Sequence, residues 1–554
     1  MSRTNIVLAG ALALLAVLLP VDSVALSLAG AGSPMLVAVE HGVWLFKLML
    51  LVHAALILAL PRLNISGTRS AALAPWVMKE APRPSRWEWA VLGLLLLIGG
   101  LLRMYRLPNG LWFDEIQTLV DYVRLPIGHI LTTYDSQNQH LFYSVLAGAT
   151  TGIFGESAAT LRLPAAVFGV ASLAAMYFFA RMVTGRIEAL LATALLTFSY
   201  HHVWFSQDAR GYTGLLLFTL LASWFFVRMV AGRYQRPWWL VLGYGLTMAL
   251  AAYTHITAVL VAVAHFVIWL ILFLRAPRPR GLDAWLPGLG ILVAATLTLQ
   301  LYALVLPQVL GTVMHPPLGA ATTAWQSPLW FASEAVRGLS QGIPGGWFTL
   351  AAGLLVVGAG LVSYWKKSRA LLAIMVLPAL VSGAALLALQ HNLWPRFFFF
   401  SAGFAVLILV RGGFALVEWL LPARMQWVAP VVTALVVFAS ATTVPRAWYP
   451  KQDFSGAMTW LDRMAGAGDA VATVDLTRYP YQEFYRKSYV PVDSLPALEQ
   501  LEQGHPRTWV LYTFPIRLAV VQPAIWERLQ QHYTVAARFP GTVGGGAIVV
   551  MKSQ

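Results

Sequence analysis

The sequence predicts an α-helical protein that crosses a membrane about thirteen times and carries a small α/β domain at its carboxy-terminal end. Three observations predict it. Of 554 residues, 58% are hydrophobic and only 11% are charged, against about a quarter charged in an ordinary soluble domain. Thirteen apolar runs reach the length of a spanning helix, which needs about 20 residues. Clusters of Lys and Arg fall in every second gap between those runs, as expected of cytoplasmic loops under the positive-inside rule.

The runs begin near Ile6, Leu36, Trp89, Leu163, Ile187, Tyr212, Trp238, Thr257, Trp285, Trp347, Ala370, Phe397 and Trp427. The first, after Arg3, ends in Ala29-Gly30-Ala31-Gly32 and so has features of a cleaved signal peptide. It is longer than a signal core and a second run follows at once, which predicts a retained helix. Arg62, Arg69, Lys79, Arg83 and Arg86 lie in one gap. Arg181 with Arg186, then Arg228, Arg233 and Arg236, then Arg275, Arg278 and Arg280, then Lys366, Lys367 and Arg369, then Arg411 and Arg424 keep the alternation. All these gaps are expected on the cytoplasmic side, with the amino terminus. The sequon Asn64-Ile65-Ser66 falls there too and reads as a chance match. The stretch from His140 to Phe154 is too short to span, and is expected to be interfacial or re-entrant. A net charge of +15 would suit nucleic acid, but no basic face with interleaved aromatics appears, so no nucleic-acid partner is expected. The chain has no cysteine, which excludes disulfides and thiolate metal sites.

The remaining gaps are expected outside the cytoplasm: Tyr105 to Arg162, Ser206 to Gly211, the turn at His255, Pro307 to Gly346, and His391 to Arg396. From about Arg446 acidic residues arrive and spanning runs stop. Short β-rich stretches (470–474, 508–512, 547–551) alternate with helical ones such as Phe454 to Met464, the pattern of a small α/β domain. Gly544-Gly545-Gly546 reads as turn chemistry. The division expected is 1–87 for two additional helices and a loop, 88–445 for the membrane core, and 446–554 for the extracytoplasmic domain.

Candidate chemistry gathers in the external gaps. Asp114 and Glu115 follow Asn109-Gly110-Leu111-Trp112-Phe113. A carboxylate there can serve as a general base, or as a helix cap or an ion-pair partner of Arg103 or Arg106. Arg210, in Ser206-Gln207-Asp208-Ala209-Arg210-Gly211-Tyr212, is a donor fork suited to phosphate, or an anchor that snorkels to the headgroups. His255, His391 and Arg396 are either hydrogen-bonded interface residues or ligands. All these groups reach one membrane face, which points to a site at the water–lipid boundary. No spacing predicts a metal site, since His201 and His202 are adjacent and one helix face cannot present both.

These residues, in this order, resemble the bacterial branch of the protein O-mannosyltransferase superfamily, the family 39 glycosyltransferases with the GT-C fold, and the related lipid A aminoarabinose transferases. The resemblance runs from about Trp89 to Asp475. It rests on Gly110-Leu111-Trp112-Phe113-Asp114-Glu115, Leu161-Arg162-Leu163-Pro164, Trp204-Phe205-Ser206-Gln207-Asp208-Ala209-Arg210-Gly211-Tyr212, Tyr253-Thr254-His255, Pro395-Arg396-Phe397 and Lys451-Gln452-Asp453-Phe454-Ser455-Gly456. It implies an enzyme of the bacterial inner membrane that moves a sugar, with inversion, from a polyprenyl-phosphate donor to a hydroxyl acceptor on a lipid, glycan or protein. Asp114, then Glu115, would be the catalytic base. Arg210, His255 and Arg396, with Asp208, Tyr212 and His140 beside them, would bind the substrate. One departure stands out: the relatives' proline-containing motif before the interfacial helix is replaced by Asp135-Ser136-Gln137-Asn138-Gln139-His140-Leu141-Phe142-Tyr143. The acceptor class is therefore unassigned. No cofactor is assigned either; a divalent metal is the one cofactor the resemblance leaves open.

Two other classes compete. A transporter or flippase of a lipid-linked glycan should carry ionisable residues near the bilayer midplane, often in paired halves. Here Asp22, Glu40 and Lys47 are the main charges within spans, and no repeat is visible. A non-catalytic assembly protein would tolerate neutral replacement of Asp114.

Overall fold

The structure is a computed structural model that describes residues 3–63, 83–232, 236–276, 281–314, 323–342 and 346–554. The sequon at 64–66 and the basic residues Arg69, Lys79, Arg233, Arg278 and Arg280 lie outside the described residues.

Among the described residues, ten helices are long and apolar enough to cross a membrane. They are Leu36–Arg62, Arg86–Met104, Ala158–Val183, Tyr212–Val230, Ala258–Arg275, Leu282–Tyr302, Phe348–Lys367, Arg369–Ala388, Pro395–Leu420 and Ala423–Trp448. An eleventh would be the pair Arg3–Leu18 and Val21–Ala29, which bends by 76°. Two of the thirteen expected spans fall outside this set. The run beginning near Ile187 is broken into a helix of 12 residues (Arg186–Thr197) and one of 7 (Tyr200–Ser206). The run near Trp238 does form a continuous helix of 18 residues, Pro237–Thr254. It is less apolar than the ten, because its sequence dilutes Leu and Val with Tyr, Thr and Gly. The segment before Phe154 forms a helix of 14 residues, Leu141–Phe154, shorter than a span as its length requires.

The innermost helices are Ala158–Val183 and Tyr212–Val230, with 67% and 78% of their apolar windows buried, whereas Phe348–Lys367 has 17%. Glycines allow the closest helix crossings. A methyl group on Gly360 would run into the carbonyl oxygen of Ile408, and one on Gly412 into that of Val356. The helices Gly346–Lys367 and Ala402–Leu420 therefore meet backbone to backbone, as small residues permit inside a membrane. The bent amino-terminal pair is tied down by Lys47, whose Nζ donates to the Leu19 carbonyl at 2.8 Å, a group that the helix end leaves without an intrahelical donor. Its second arm packs on the short helix Ile127–Thr132, where a Cβ on Gly128 would lie 2.6 Å from the Leu28 carbonyl.

The carboxy-terminal segment is a five-stranded sheet with flanking helices. Its strands are β1 (Ala470–Thr473), β2 (Val490–Pro491), β3 (Thr508–Tyr512), β4 (Tyr533–Phe539) and β5 (Ile548–Ser553), in the order β2-β1-β3-β5-β4. β1 runs parallel to β2 and β3; β5 is antiparallel to β3 and β4. The expected strands match β1, β3 and β5, and the expected helix is Phe454–Met464. β2 and β4 were not anticipated: β2 is two residues long, and β4 is an edge strand whose middle is exposed. The two-residue period of a strand sorts the sheet's faces. Trp509, Leu511, Ile548 and Val550 pack toward Leu111, Ile116, Tyr143, Leu161 and Ala209 at the end of the helical bundle. Val510, Tyr512, Val549 and Met551 pack on the other face against Leu498, Leu518, Ile525 and Leu529. The sheet is thus a lid bonded to one end of the bundle. Gly544 to Gly546 form a turn, with Gly545 at φ +71°, and a Cβ on Gly544 would come within 2.5 Å of the Arg337 guanidinium.

Overpacking a backbone-to-backbone crossing costs about 1–3 kcal/mol. Gly412→Val should therefore lower the midpoint of thermal unfolding in detergent. Gly358→Val on the partner helix, where a Cβ meets nothing within 4 Å, should leave it unchanged.

Candidate active site

The site is built on a buried ion pair. Arg162 stands in the first turns of the helix Ala158–Val183 and is 3% exposed. Its guanidinium has five N–H groups, and the chain uses all five. Nε and Nη2 donate to the two carboxylate oxygens of Glu115 at 2.6 and 2.5 Å. Nη1 donates to the carbonyls of Leu107 and Asn109 at 2.8 and 2.7 Å, and Nη2 to that of Gly110 at 2.9 Å. Glu115 also accepts the backbone N–H of Ala209 at 2.8 Å and that of Trp112 at 3.3 Å. One pair therefore folds the loop 107–115 and ties it to the loop containing Asp208. Burial works to raise the Glu115 pKa, but the charges of Arg162 and Lys451 and the hydrogen bonds outweigh it and hold the carboxyl below its ordinary value.

Asp114 points elsewhere. Its Oδ2 accepts from Nη1 of Arg396 at 3.0 Å, with the carboxylate side chain 13% exposed. The partners expected from sequence position, Arg103 and Arg106, do not take this role. Arg103 is buried, and donates to the carbonyls of Gly99 and Thr197 and to His202. Arg396 enters from 282 residues further along the chain. It lies over the rings of Trp394 and Trp112, 4.8 and 5.9 Å from their centroids.

Asp208 is fully buried. Its Oδ1 accepts the Trp112 indole N–H at 2.8 Å, and its Oδ2 has no hydrogen-bond partner. Burial, reinforced by the Glu115 carboxylate and opposed by Lys451, pushes its pKa up to about 7. Lys451, itself buried, donates to the Gln207 carbonyl at 2.6 Å.

Arg210, His140, His255 and Tyr212 form the second half of the site. Arg210 donates to the side chain of Asn138, to the Asn138 carbonyl at 2.6 Å, and faces Nε2 of His140 at 2.9 Å. The other ring nitrogen of His140, Nδ1, accepts the Gly211 N–H at 2.8 Å. This approach needs glycine, because a Cβ there would sit 2.9 Å from Nδ1 and 2.7 Å from the Thr254 methyl. Burial, followed by the charges of Arg210, His255 and Arg396, pushes the His140 pKa well down, so the ring is neutral. A neutral imidazole has one N–H. With Nδ1 accepting, the proton sits on Nε2, and two donors, Nε2–H and Nη2–H of Arg210, face each other.

His255 repeats the pattern. Its Nδ1 meets the Thr257 hydroxyl at 2.8 Å and the Thr257 N–H at 3.3 Å, and its buried Nε2 has no partner. Burial, then Arg210 and Arg396, take its pKa down to about 3. The His140 ring centroid lies 4.6 Å from that of His255 and 5.3 Å from that of Tyr212. The Tyr212 hydroxyl and the Nε atoms of Arg210 and Arg396 are likewise buried without partners. Buried polar groups are rarely left so, and this cluster of them, mostly donors, is of a kind that an anion can satisfy.

Beside it lies a cavity of about 650 Å³, reached past His255, His391, Gln137 and Phe397. It continues between apolar residues of the helices Ala258–Arg275, Leu286–Tyr302 and Arg369–Ala388, such as Leu260, Leu299 and Leu386. His391 serves its mouth: Nε2 bonds the Val313 carbonyl at 2.6 Å and Nδ1 meets Gln137 at 2.9 Å.

Every site residue expected from the sequence lies within this one region. Arg162, Trp112 and Asn138 stand in the sequence only as parts of motifs; the signal for Arg162 is a cation at the start of an apolar run, two residues before Pro164. The carboxylates do not fit a divalent metal. Glu115 is spent on Arg162 and Asp114 on Arg396, and among the described residues no three His, Asp or Glu side chains come together as a metal site needs.

Residues 139–302 match the sequence profile of the dolichyl-phosphate-mannose-protein mannosyltransferase family. The oligosaccharyltransferase of Archaeoglobus fulgidus superposes with a TM-score of 0.50 at 12% identity, over 84% of this chain and 74% of that one. The fold is that of the GT-C glycosyltransferases. ArnT from Cupriavidus metallidurans, solved bound to undecaprenyl phosphate, matches at 12% identity and a TM-score of 0.42 over 84% of this chain and 98% of that chain. The Saccharomyces cerevisiae Pmt1-Pmt2 complex, bound to its sugar donor, matches at 16% identity and 0.35 over 43% and 35%. No curated protein matches the chain at the level of sequence. Over residues 139–302 the family match agrees with the resemblance read from the motifs.

Removing one partner of a buried pair costs about 3–5 kcal/mol. Arg162→Met should therefore destabilise the protein strongly, and the Glu115→Gln/Arg162→Met double variant by less than the sum of the singles, read as thermal midpoints. Asp208 provides a pH test. Its folded pKa lies above the ordinary 3.8, so its contribution to stability is full in acid and is lost as pH rises towards about 7. Asp208→Asn should flatten the fall in thermal midpoint between about pH 4 and about pH 8.

Proposed function

We propose that this protein transfers a sugar, with inversion, from a polyprenyl-phosphate donor to a hydroxyl acceptor at the extracytoplasmic face of a bacterial inner membrane. The observation that carries this reading is the meeting of three things at one end of the bundle. A carboxylate stands at the rim of a pocket of unpartnered buried donors, and an apolar cavity leads from that pocket into the helices. The basic gaps of the sequence argue that this end faces away from the cytoplasm. They also put the carboxy-terminal domain there, as a unit of about residues 446–554.

In this mechanism Asp114 is the general base. The oxygen that Arg396 does not engage accepts the proton of the acceptor hydroxyl as its oxygen attacks the anomeric carbon. The anomeric carbon–oxygen bond breaks on the opposite face, and its electron pair leaves with the lipid phosphate. Charge accumulates on that phosphate, and Arg210, Arg396, His255 Nε2–H and His140 Nε2–H are donors placed in advance to receive it. Their fixed positions matter more than their number, since no reorganisation is then needed as charge develops. Tyr212 and Asp208 line the same pocket and are assigned to substrate binding. Glu115 holds the loop and takes no proton. The apolar cavity takes the first isoprene units. A flippase would need ionisable groups in the path across the bilayer, whereas the groups described here gather at one end.

Incubating the purified chain with a panel of radiolabelled polyprenyl-phosphate sugars, and looking for labelled product, tests the donor class. Asp114→Asn should reduce transfer by about 10²–10⁴-fold, the usual contribution of a general base, with the thermal midpoint retained. Arg396→Gln should cost about 10²–10³-fold in kcat. Full activity of Asp114→Asn removes the assignment.

A further inference from the structure

Asp114 occupies the second position of a short helix, Phe113–Gln117. The first backbone N–H groups of a helix have no intrahelical partner, so whatever accepts them sets how the turn is held. The Trp112 N–H goes to Glu115. The Phe113 N–H, next to Asp114, goes to the side chain of Gln452 at 3.1 Å, from 339 residues away. Gln452 is 2% exposed, and its amide is bonded at both ends: Nε2 donates to the Thr513 hydroxyl, just beyond β3, at 3.1 Å. The backbone around it is clamped. A Cβ on Gly541 would strike the Lys451 carbonyl, one on Gly546 would lie 3.2 Å from Gln452 Cγ, and the Val543 N–H donates to the Lys451 carbonyl at 3.2 Å. Tyr479 of the same domain lies against the Phe113 ring, centroids 6.0 Å apart.

We infer that Gln452 is a positioning residue, through which the carboxy-terminal sheet holds the Asp114 turn in line with Arg396. The domain is then part of the catalytic framework, in addition to covering the bundle. A turn of five residues cannot hold its own orientation; Arg162 anchors it at Glu115, and the Gln452 amide, itself bonded to Thr513 just beyond β3, anchors its first N–H. The inference rests on Asp114 being the base.

The test uses the full chain in nanodiscs and four variants. Gln452→Met removes the acceptor while keeping the side-chain length; Gln452→Glu keeps an acceptor oxygen. Thr513→Val cuts only the far bond, and Asp114→Asn controls for the base. Hydrogen exchange of the peptide spanning Phe113 needs no substrate: it should quicken about tenfold or more in Gln452→Met, by less in Thr513→Val, which loosens the amide's tie to the sheet, and stay near wild type in Gln452→Glu. Transfer is measured with the radiolabelled polyprenyl-phosphate sugar that the wild-type chain turns over. There, kcat should fall about 10–100-fold in Gln452→Met, the scale of a small misplacement at a reacting centre, with donor KM within about twofold and recovery in Gln452→Glu. If Gln452→Met does not fold, Gln452→Asn, which withdraws the oxygen by one methylene, takes its place with the same expected results. Unchanged exchange at Phe113 in Gln452→Met, or a kcat loss in Gln452→Glu equal to that in Gln452→Met, overturns the inference. An active Asp114→Asn overturns the reading beneath it, and an inactive Asp114→Asn with a fully active Gln452→Met overturns the inference alone.

Discussion

The bidentate contact between Arg162 and Glu115 is the constraint on which the rest of the site depends. A charged pair taken out of water is weak evidence of stability by itself, since desolvation offsets much of the attraction. Its effect here is on shape. The five donors of Arg162 are distributed over three carbonyls and a carboxylate, and the carboxylate also binds the backbone next to Asp208. Two loops far apart in sequence are thereby held in one geometry. With Glu115 committed inward, the next residue back, Asp114, is left at the rim facing Arg396. Adjacent acidic residues thus acquire different tasks because their environments differ.

The proposed anion pocket shows how a low-dielectric site collects donors without collecting repulsion. Two arginines, two histidines and a tyrosine converge, and four cations there would be costly to hold together. Burial and the two guanidinium charges keep both imidazoles neutral, so each offers an N–H without a full charge. The buried acceptor Asp208, bonded to Trp112, is drawn towards its neutral form by the same burial. The aromatic faces of Trp112 and Trp394 lie along Arg396 and stabilise its charge without using its N–H groups. The polar chemistry ends abruptly where the cavity turns apolar among the helices.

Much of this was legible in the sequence, for physical reasons. Apolar runs and alternating basic loops report the solvent around each segment, so the membrane class and most spans follow from composition. The strands at 470–473, 508–512 and 548–553 were readable because they lie in the sheet's interior, where apolar residues concentrate. The edge strand at 533–539 was not, since its exposed middle has no such pattern. The broken run after Ile187 looked continuous because hydropathy counts apolar residues and does not register a kink.

What the sequence alone determined is which residue types are present at the ends of which apolar runs: a carboxylate pair, single arginines such as Arg210 and Arg396, isolated histidines. These are local properties, set by the requirement that polar groups leave the hydrocarbon. What only the tertiary structure decided is who pairs with whom. Asp114 meets Arg396 and not the nearer Arg103, and Glu115 is withdrawn by Arg162. Gln452 reaches Phe113 across most of the chain. Such pairings arise when packing brings distant segments within about 3 Å, and no spacing along the chain encodes them.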